Sequence, residues 1–336
     1  MTESVVAGEY RYRPAWWLPG GHAQTLWGKF ARRRDRPALE REELQLPDGD
    51  VIDLHILHAP RGAPRLLLLH GLEGTVASHY VGGIMKAAAA AGFGATLMVF
   101  RGCGSAPNKA RRFYHSGETS DVAHVFSLLR QRAPDSRWFA IGVSLGGNVL
   151  LKWLGECGSS SPLVAAVAIS VPFDLEAGAR KISHGFARIY DRNFLRSLRR
   201  KALFKLDVFP DLFDRQAVLR AKNIFEFDEA VTAPVHGFAD APDYYRRSSS
   251  LGFLSRIRVP TLLLSAKDDP FLPRQVLDRV SSNAAGNSAL TVEFAESGGH
   301  VGFVAGKWPW RPRYYAEQRA VDFLRAGGSR KPRELP

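Results

Sequence analysis

Ser144 is the apex of the run Ile141-Gly142-Val143-Ser144-Leu145-Gly146-Gly147-Asn148. Residues 137–141 ahead of it are short and apolar enough for a buried strand, and residues 149–154 behind it are apolar at helical spacing. The serine therefore stands on a strand-to-helix corner. Gly142 and Gly146 fit such a corner, because neighbouring backbone crowds the positions two before and two after the apex. The chemistry open to a serine so placed is attack on a carbonyl. Its hydroxyl is a weak nucleophile near neutrality, so a base must take the proton, and that base needs a partner to orient it and stabilise the imidazolium. Behind a corner of this kind the partners follow in the order acid, then histidine.

Late in the chain stands Glu296-Ser297-Gly298-Gly299-His300-Val301-Gly302-Phe303, a glycine-flanked loop after the last predicted strand. Of the ten histidines, His300 alone combines the right order with a loop able to reach over the sheet edge, and it is the expected base. The acid should leave the preceding strand, where Lys267-Asp268-Asp269-Pro270-Phe271 offers two aspartates. Asp269 is favoured because it sits at the loop apex before the chain turns into a helix. Asp268 is the rival, and the aspartate not used would support the loop by hydrogen bonding. Charge developing on the carbonyl oxygen needs fixed N–H donors. The amide of Leu145, at the start of a helix, is one expected donor. Leu72, in the loop that opens His70-Gly71, is the other. Arg101-Gly102-Cys103-Gly104 lacks the lysine-hydroxyl pair and glycine spacing of a phosphate loop and is read as a tight post-strand turn. Cys103 has no elbow around it and is a weaker candidate nucleophile than Ser144.

The elements that must position these residues alternate between strand and helix. Strands are expected at 43–46 and 51–57, as an antiparallel opening hairpin, and at 66–69, 93–100, 163–171, 260–264 and 290–294. Helices are expected from the alanine-rich stretch ending near 91, over 119–132 and over 314–324. That rhythm predicts an α/β fold with a mostly parallel central sheet flanked by helices. Residues 42–173 and 257–327 form the expected core. Residues 174–256 break the rhythm and predict an inserted helical lid over the active-site end of the sheet. Within it, residues 193–205 place Leu195, Leu198 and Ala202 on one side and arginines elsewhere. Residues 1–41 are read as an irregular extension that packs its three tryptophans on the core, and 328–336 as a flexible tail.

The 336 residues are enough for one large core. No apolar run approaches the ~20 residues of a membrane span, no signal segment opens the chain, and two cysteines make no disulfide framework, so a soluble cytoplasmic protein is expected. No metal-ligand spacing or organic cofactor motif is present. The formal net charge is +13, with 12 basic against 4 acidic residues between positions 180 and 222. Without a nucleic-acid-binding signature, this excess is read as a solvated face or as a peripheral contact with anionic membrane, and nucleic acid is not an expected partner. Oligomeric state is left open.

With these residues in view, the sequence resembles the YheT-like branch of the α/β-hydrolases, also called the AB hydrolase 4 family. The resemblance runs from His22-Ala23-Gln24-Thr25-Leu26 to His300-Val301-Gly302-Phe303. It takes in His70-Gly71-Leu72-Glu73-Gly74, Tyr114-His115-Ser116-Gly117 and the elbow, and a spaced pattern from Asp228 through Asp243-Tyr244-Tyr245 to Asp268-Asp269. In that pattern the final aspartate is the fixed one, which again favours Asp269. The resemblance implies an α/β-hydrolase fold with a lid, a Ser144-Asp269-His300 triad, and carboxylesterase or lipase-type activity. A short-chain carboxylesterase acting on a small-molecule ester or lipid is the expectation that follows. A lipase acting on acylglycerols or phospholipids, and a non-catalytic binding protein on the hydrolase scaffold, are the alternatives.

Overall fold

A computed structural model describes residues 12–32 and 36–327; the tail expected at 328–336 lies outside the described residues, as do residues 1–11 and 33–35 of the extension. Eight strands form one sheet: β1 (Glu40–Gln45), β2 (Val51–Leu57), β3 (Arg65–Leu69), β4 (Gly94–Met98), β5 (Trp138–Val143), β6 (Ala165–Ile169), β7 (Thr261–Ala266) and β8 (Leu290–Ala295). Their order across the sheet is β1-β2-β4-β3-β5-β6-β7-β8. From β4 to β8 neighbours pair in parallel, whereas β2 runs antiparallel to both β1 and β4. The hairpin and the parallel sheet are as the sequence predicts.

Burial follows position. β4, β5, β6 and β7 are buried at every residue, as strands covered on both faces must be, while edge strand β1 buries only Leu44. The helices α2 (Val81–Ala90), α3 (Ser120–Arg132) and α4 (Leu145–Cys157), with Arg274–Ala285 and Tyr315–Arg325, cover the two faces.

The extension differs from its expectation. Residues 20–30 form a helix, α1 (Gly20–Phe30), which begins at a glycine with φ of +78°. A glycine pair and polar residues at its start hide it from periodicity. Its neighbour Pro14-Ala15 lies along Val304 and Ala305, and the Ala15 amide donates to the Val304 carbonyl at 2.9 Å. Gln24, fully buried, acts as an extra strand residue: its amide nitrogen donates to the Val304 carbonyl and its oxygen accepts from the Val304 amide.

Between β6 and β7 the chain makes an all-helical excursion that includes α5 (Leu175–Ile182) and α6 (Arg188–Val208). α6 is longer at both ends than the stretch read from sequence. It buries Leu195 and Ala202 in a small apolar cluster with Val218, Phe227 and Val231, separate from the main core. Asn148 of α4, fully buried, fastens the exit of this excursion. It donates to the carbonyls of Ser116 and Ser248 and accepts from the Ser250 amide.

Candidate active site

The elbow is built by backbone collisions that only glycine avoids. A Cβ on Gly142 would lie 2.5 Å from the Gly146 carbonyl oxygen, and one on Gly146 would lie 2.5 Å from the carbonyl oxygens of both Leu69 and His70. Between them Ser144 adopts φ 54°, ψ −121°, a strained conformation for a side-chain-bearing residue. Its amide donates to the Ile169 carbonyl at 2.8 Å, and its carbonyl accepts from Gly147 at 2.9 Å. The Ser144 hydroxyl is thereby held at the carboxyl ends of the strands and the amino end of α4.

His300 meets it there. Its Nε2 lies 2.9 Å from the Ser144 Oγ, and its Nδ1 lies 2.8 Å from Asp269 Oδ2. A carboxylate accepts, so Nδ1 carries the ring proton and Nε2 is left to accept from the serine hydroxyl. The ring is stacked on Phe271, centroids 4.1 Å apart. Asp269 is itself oriented by the Phe271 amide, which donates to its other oxygen. Asp268 turns the opposite way. It accepts from the Ser297 hydroxyl and from the amides of Gly298 and Gly299, all within 2.8 Å. The two aspartates are thus divided between holding the imidazole and holding the loop that carries it.

The base loop has further supports that residue types alone did not reveal. Thr25 of α1 accepts the His300 amide at 2.8 Å, and Ser170 accepts the Val301 amide at 3.0 Å. A Cβ on Gly21 would sit 1.9 Å from the Asp268 carbonyl oxygen, so α1 backs the acid loop as closely as two backbones can. The stretch 21–25 therefore backs the loops that carry Asp269 and His300. Its signal was present in the shared motif His22-Ala23-Gln24-Thr25-Leu26, without a role attached.

Leu72 and Leu145 line the same cavity as Ser144 and His300. The amides on either side of Leu72 are occupied: Gly71 donates to the Tyr80 hydroxyl and Glu73 to the Tyr114 hydroxyl, each at 2.8 Å. Gly71 approaches so closely that a Cβ on it would stand 3.1 Å from the Ser144 Cβ. His70 fixes the same peptide from behind. Its Nε2 accepts from the Phe100 amide and its Nδ1 donates to the Gly71 carbonyl. Burial pushes its pKa down to about 4, so the ring is neutral at physiological pH.

The cavity, about 150 Å³, is lined mostly by apolar side chains such as Phe113, Val171, Leu175, Phe194, Leu198 and Val231. One end is polar. There Glu73 accepts from Tyr114 at 3.0 Å, from Lys201 at 2.7 Å and from Ser197, the last two residues belonging to α6. Burial pushes the nearby Cys103 thiol up to about 11, which keeps it protonated and removes it as a nucleophile. Arg101, read from sequence as part of a turn, is a buried hub whose guanidinium binds Asp50 and Asp121. Among the described residues no group of three or more histidine, cysteine or acidic side chains is placed to hold a metal ion. No helix among them is long and apolar enough to cross a membrane. A serine, a base and an acid in series beside an apolar cavity can carry out acyl transfer.

Known proteins place this architecture. The profile of the alpha/beta hydrolase fold family matches residues 64–306. The chain is 40% identical over 308 residues to "Putative esterase YheT" of Escherichia coli (strain K12), covering 90% of this chain and 89% of that protein. It is 28% identical to phospholipase ABHD3 of Homo sapiens, over 94% of this chain and 78% of the relative. Among solved structures, the Pyrococcus furiosus esterase Pf2001 superposes with a TM-score of 0.58 at 17% identity, over 89% of this chain and 99% of its own, a likeness of fold. With its parallel sheet, its elbow and these relatives, the chain belongs to the α/β-hydrolase family, in the YheT-like branch.

Proposed function

We propose that this protein is a serine hydrolase of carboxylic esters that works through an acyl-enzyme on Ser144. The observation that carries the reading is the unbroken series Ser144 Oγ to His300 Nε2 at 2.9 Å and His300 Nδ1 to Asp269 at 2.8 Å. Ser144 Oγ attacks the ester carbonyl as His300 takes its proton, and Asp269 stabilises the imidazolium. The amides of Leu72 and Leu145 hold the oxygen that gains charge; losing one such donor costs ~3 kcal/mol of barrier. The tetrahedral adduct then collapses, the C–O bond to the alcohol breaks, and the alcohol leaves with the proton from His300. Water, deprotonated by the same imidazole, attacks the acyl-serine and releases the acid.

The cavity supports a short acyl group. A cavity of about 150 Å³ is of the size that accepts a benzene ring, roughly six carbons. Residues 174–256 act as the lid, since α5 and α6 contribute Leu175, Phe194 and Leu198 to its lining. A second reading, hydrolysis of acylglycerols or phospholipids, draws on that same helical cover and on the relatives named phospholipase ABHD3 and monoacylglycerol lipase. p-Nitrophenyl esters of increasing chain length separate the two. An optimum at short chains with no jump in rate above the solubility limit supports the first; preference for long, aggregated chains supports the second. Folded protein that neither turns over any ester nor takes up a fluorophosphonate label would leave a non-catalytic binder as the better account.

A further inference from the structure

Two segments that pack together near the base loop carry an unusual surface. Residues 12–32 and 297–316 contain no acidic residue and between them hold Arg13, Lys29, Lys307, Arg311 and Arg313 as exposed basic residues, Arg32 being paired with Glu317. The same segments display large apolar side chains to solvent: Trp16 is 74% exposed, Trp308 50%, Trp310 72% and Phe30 75%. Clustered apolar side chains left open and rimmed by polar groups mark interaction surfaces.

The rings are held rather than loose. The Trp16 indole N–H donates to the Lys307 carbonyl at 3.1 Å, and that of the neighbouring, half-buried Trp17 donates to Gly306 at 3.0 Å. Trp308 and Trp310 stack on one another, centroids 5.3 Å apart and 9° from parallel. Rigid indoles lose little conformational freedom on burial, and tryptophan favours the zone between lipid headgroups and acyl chains. Basic residues interleaved with them match a negatively charged headgroup layer. A single-stranded nucleic acid fits less well, because the stacked pair spends one face of each ring on the other instead of on a base.

We propose that Trp16, Trp308 and Trp310, with Lys307, Arg311 and Arg313, form a docking surface for an anionic lipid bilayer. This puts the contact beside the loop of His300, where His300 and Trp308 lie on one short run of chain, and not on the basic face of α6, which the sequence offers either as a solvated face or as a membrane contact. The inference does not rest on the hydrolase reading, because binding is measured without turnover.

The test uses the full chain and sedimentation with vesicles of phosphatidylcholine alone or with about one-third phosphatidylglycerol. Wild-type protein should bind the anionic vesicles, release with salt, and shift its tryptophan emission to the blue. Both Trp308→Ala/Trp310→Ala and Lys307→Glu/Arg311→Glu should lower that binding at least about tenfold. Both should keep wild-type Tm and wild-type rates on a soluble short-chain ester, since none of these side chains touches the cavity. Reversal of Arg192, Arg196 and Arg200 on α6 should change binding less. Failure of the wild type to bind anionic vesicles overturns the proposal, as does equal binding by the variants. So does tight binding of an oligonucleotide in place of vesicles, or a dimer in solution that the tryptophan variant dissolves.

Discussion

At the elbow, a Cβ on Gly142 or Gly146 would stand 2.5 Å from backbone oxygens, so the position of Ser144 is set by atoms that cannot step aside. α6 is fastened by the tips of side chains: Lys201 and Ser197 on Glu73, and Lys205 on the carbonyls of Asn108 and Ala110. Its small apolar cluster is detached from the main core. Main-chain packing holds Ser144 in one arrangement, while side-chain polar contacts hold α6. On the proposed reading, the sheet sets the reaction and the excursion sets what reaches it.

The largest expected effect lies on the sheet side. Asp269→Asn should lower kcat about 10⁴-fold by removing the group that fixes the histidine tautomer. Asp268→Asn should lower it far less, because that side chain holds the loop and not the ring. Steady-state kinetics on one soluble ester decides, and a greater loss in the Asp268 variant would reverse the assignment. Next comes packing. Gly146→Ala should cost 3 kcal/mol or more in denaturant unfolding, about the upper limit for ordinary overpacking, because its neighbours are backbone. Gly252→Ala, at the exit of the excursion where a Cβ would meet nothing, should stay within about 0.5 kcal/mol.

On the excursion side, burial pushes Asp228 up to about 6 from an ordinary 3.8, with Thr232 and Tyr245 as its partners. The folded state therefore keeps this proton where the unfolded chain has lost it. The contribution is complete below 3.8 and is lost as pH rises through 6, amounting to roughly 3 kcal/mol at most. Asp228→Asn should match wild type near pH 4 and become the more stable protein by pH 7; parallel stability curves would contradict this. The smallest effect is expected at the polar end of the cavity. Lys201→Met leaves Glu73 partly buried without its cation and should lower both stability and kcat/KM, the latter about tenfold, and adding Glu73→Gln should restore most of the stability. An unchanged kcat/KM would mean that the contact is decoration at the rim.

Much of the sheet side was legible in the sequence because its signals are local. Continuous apolar runs announced β3 to β7, two glycines around a serine announced the elbow, and loop position selected His300 and Asp269 over their rivals. What escaped reading depends on contacts between distant parts of the chain. Nothing near Thr25 indicates that it accepts the His300 amide, 275 residues away. The meeting of Glu73 with Lys201, 128 residues apart, is likewise invisible to periodicity. α1 was read as irregular because Gly20-Gly21, needed for close approach to the acid loop, is also what a turn would contain. Arg101 looks like part of a tight turn, since the carboxylates that meet it, buried Asp50 and Asp121 and exposed Asp48, arrive from elsewhere and leave no mark beside it.

An acyl-enzyme on Ser144 can be caught as a covalent intermediate. Wild-type protein mixed with p-nitrophenyl butyrate and quenched in acid within the first turnovers should carry one butyryl group, mapped by mass spectrometry to the peptide containing Ser144. Ser144→Ala, folded to the same Tm, should carry none and release no p-nitrophenol above background. An acyl group found on another residue, or undiminished turnover by Ser144→Ala, would contradict the account.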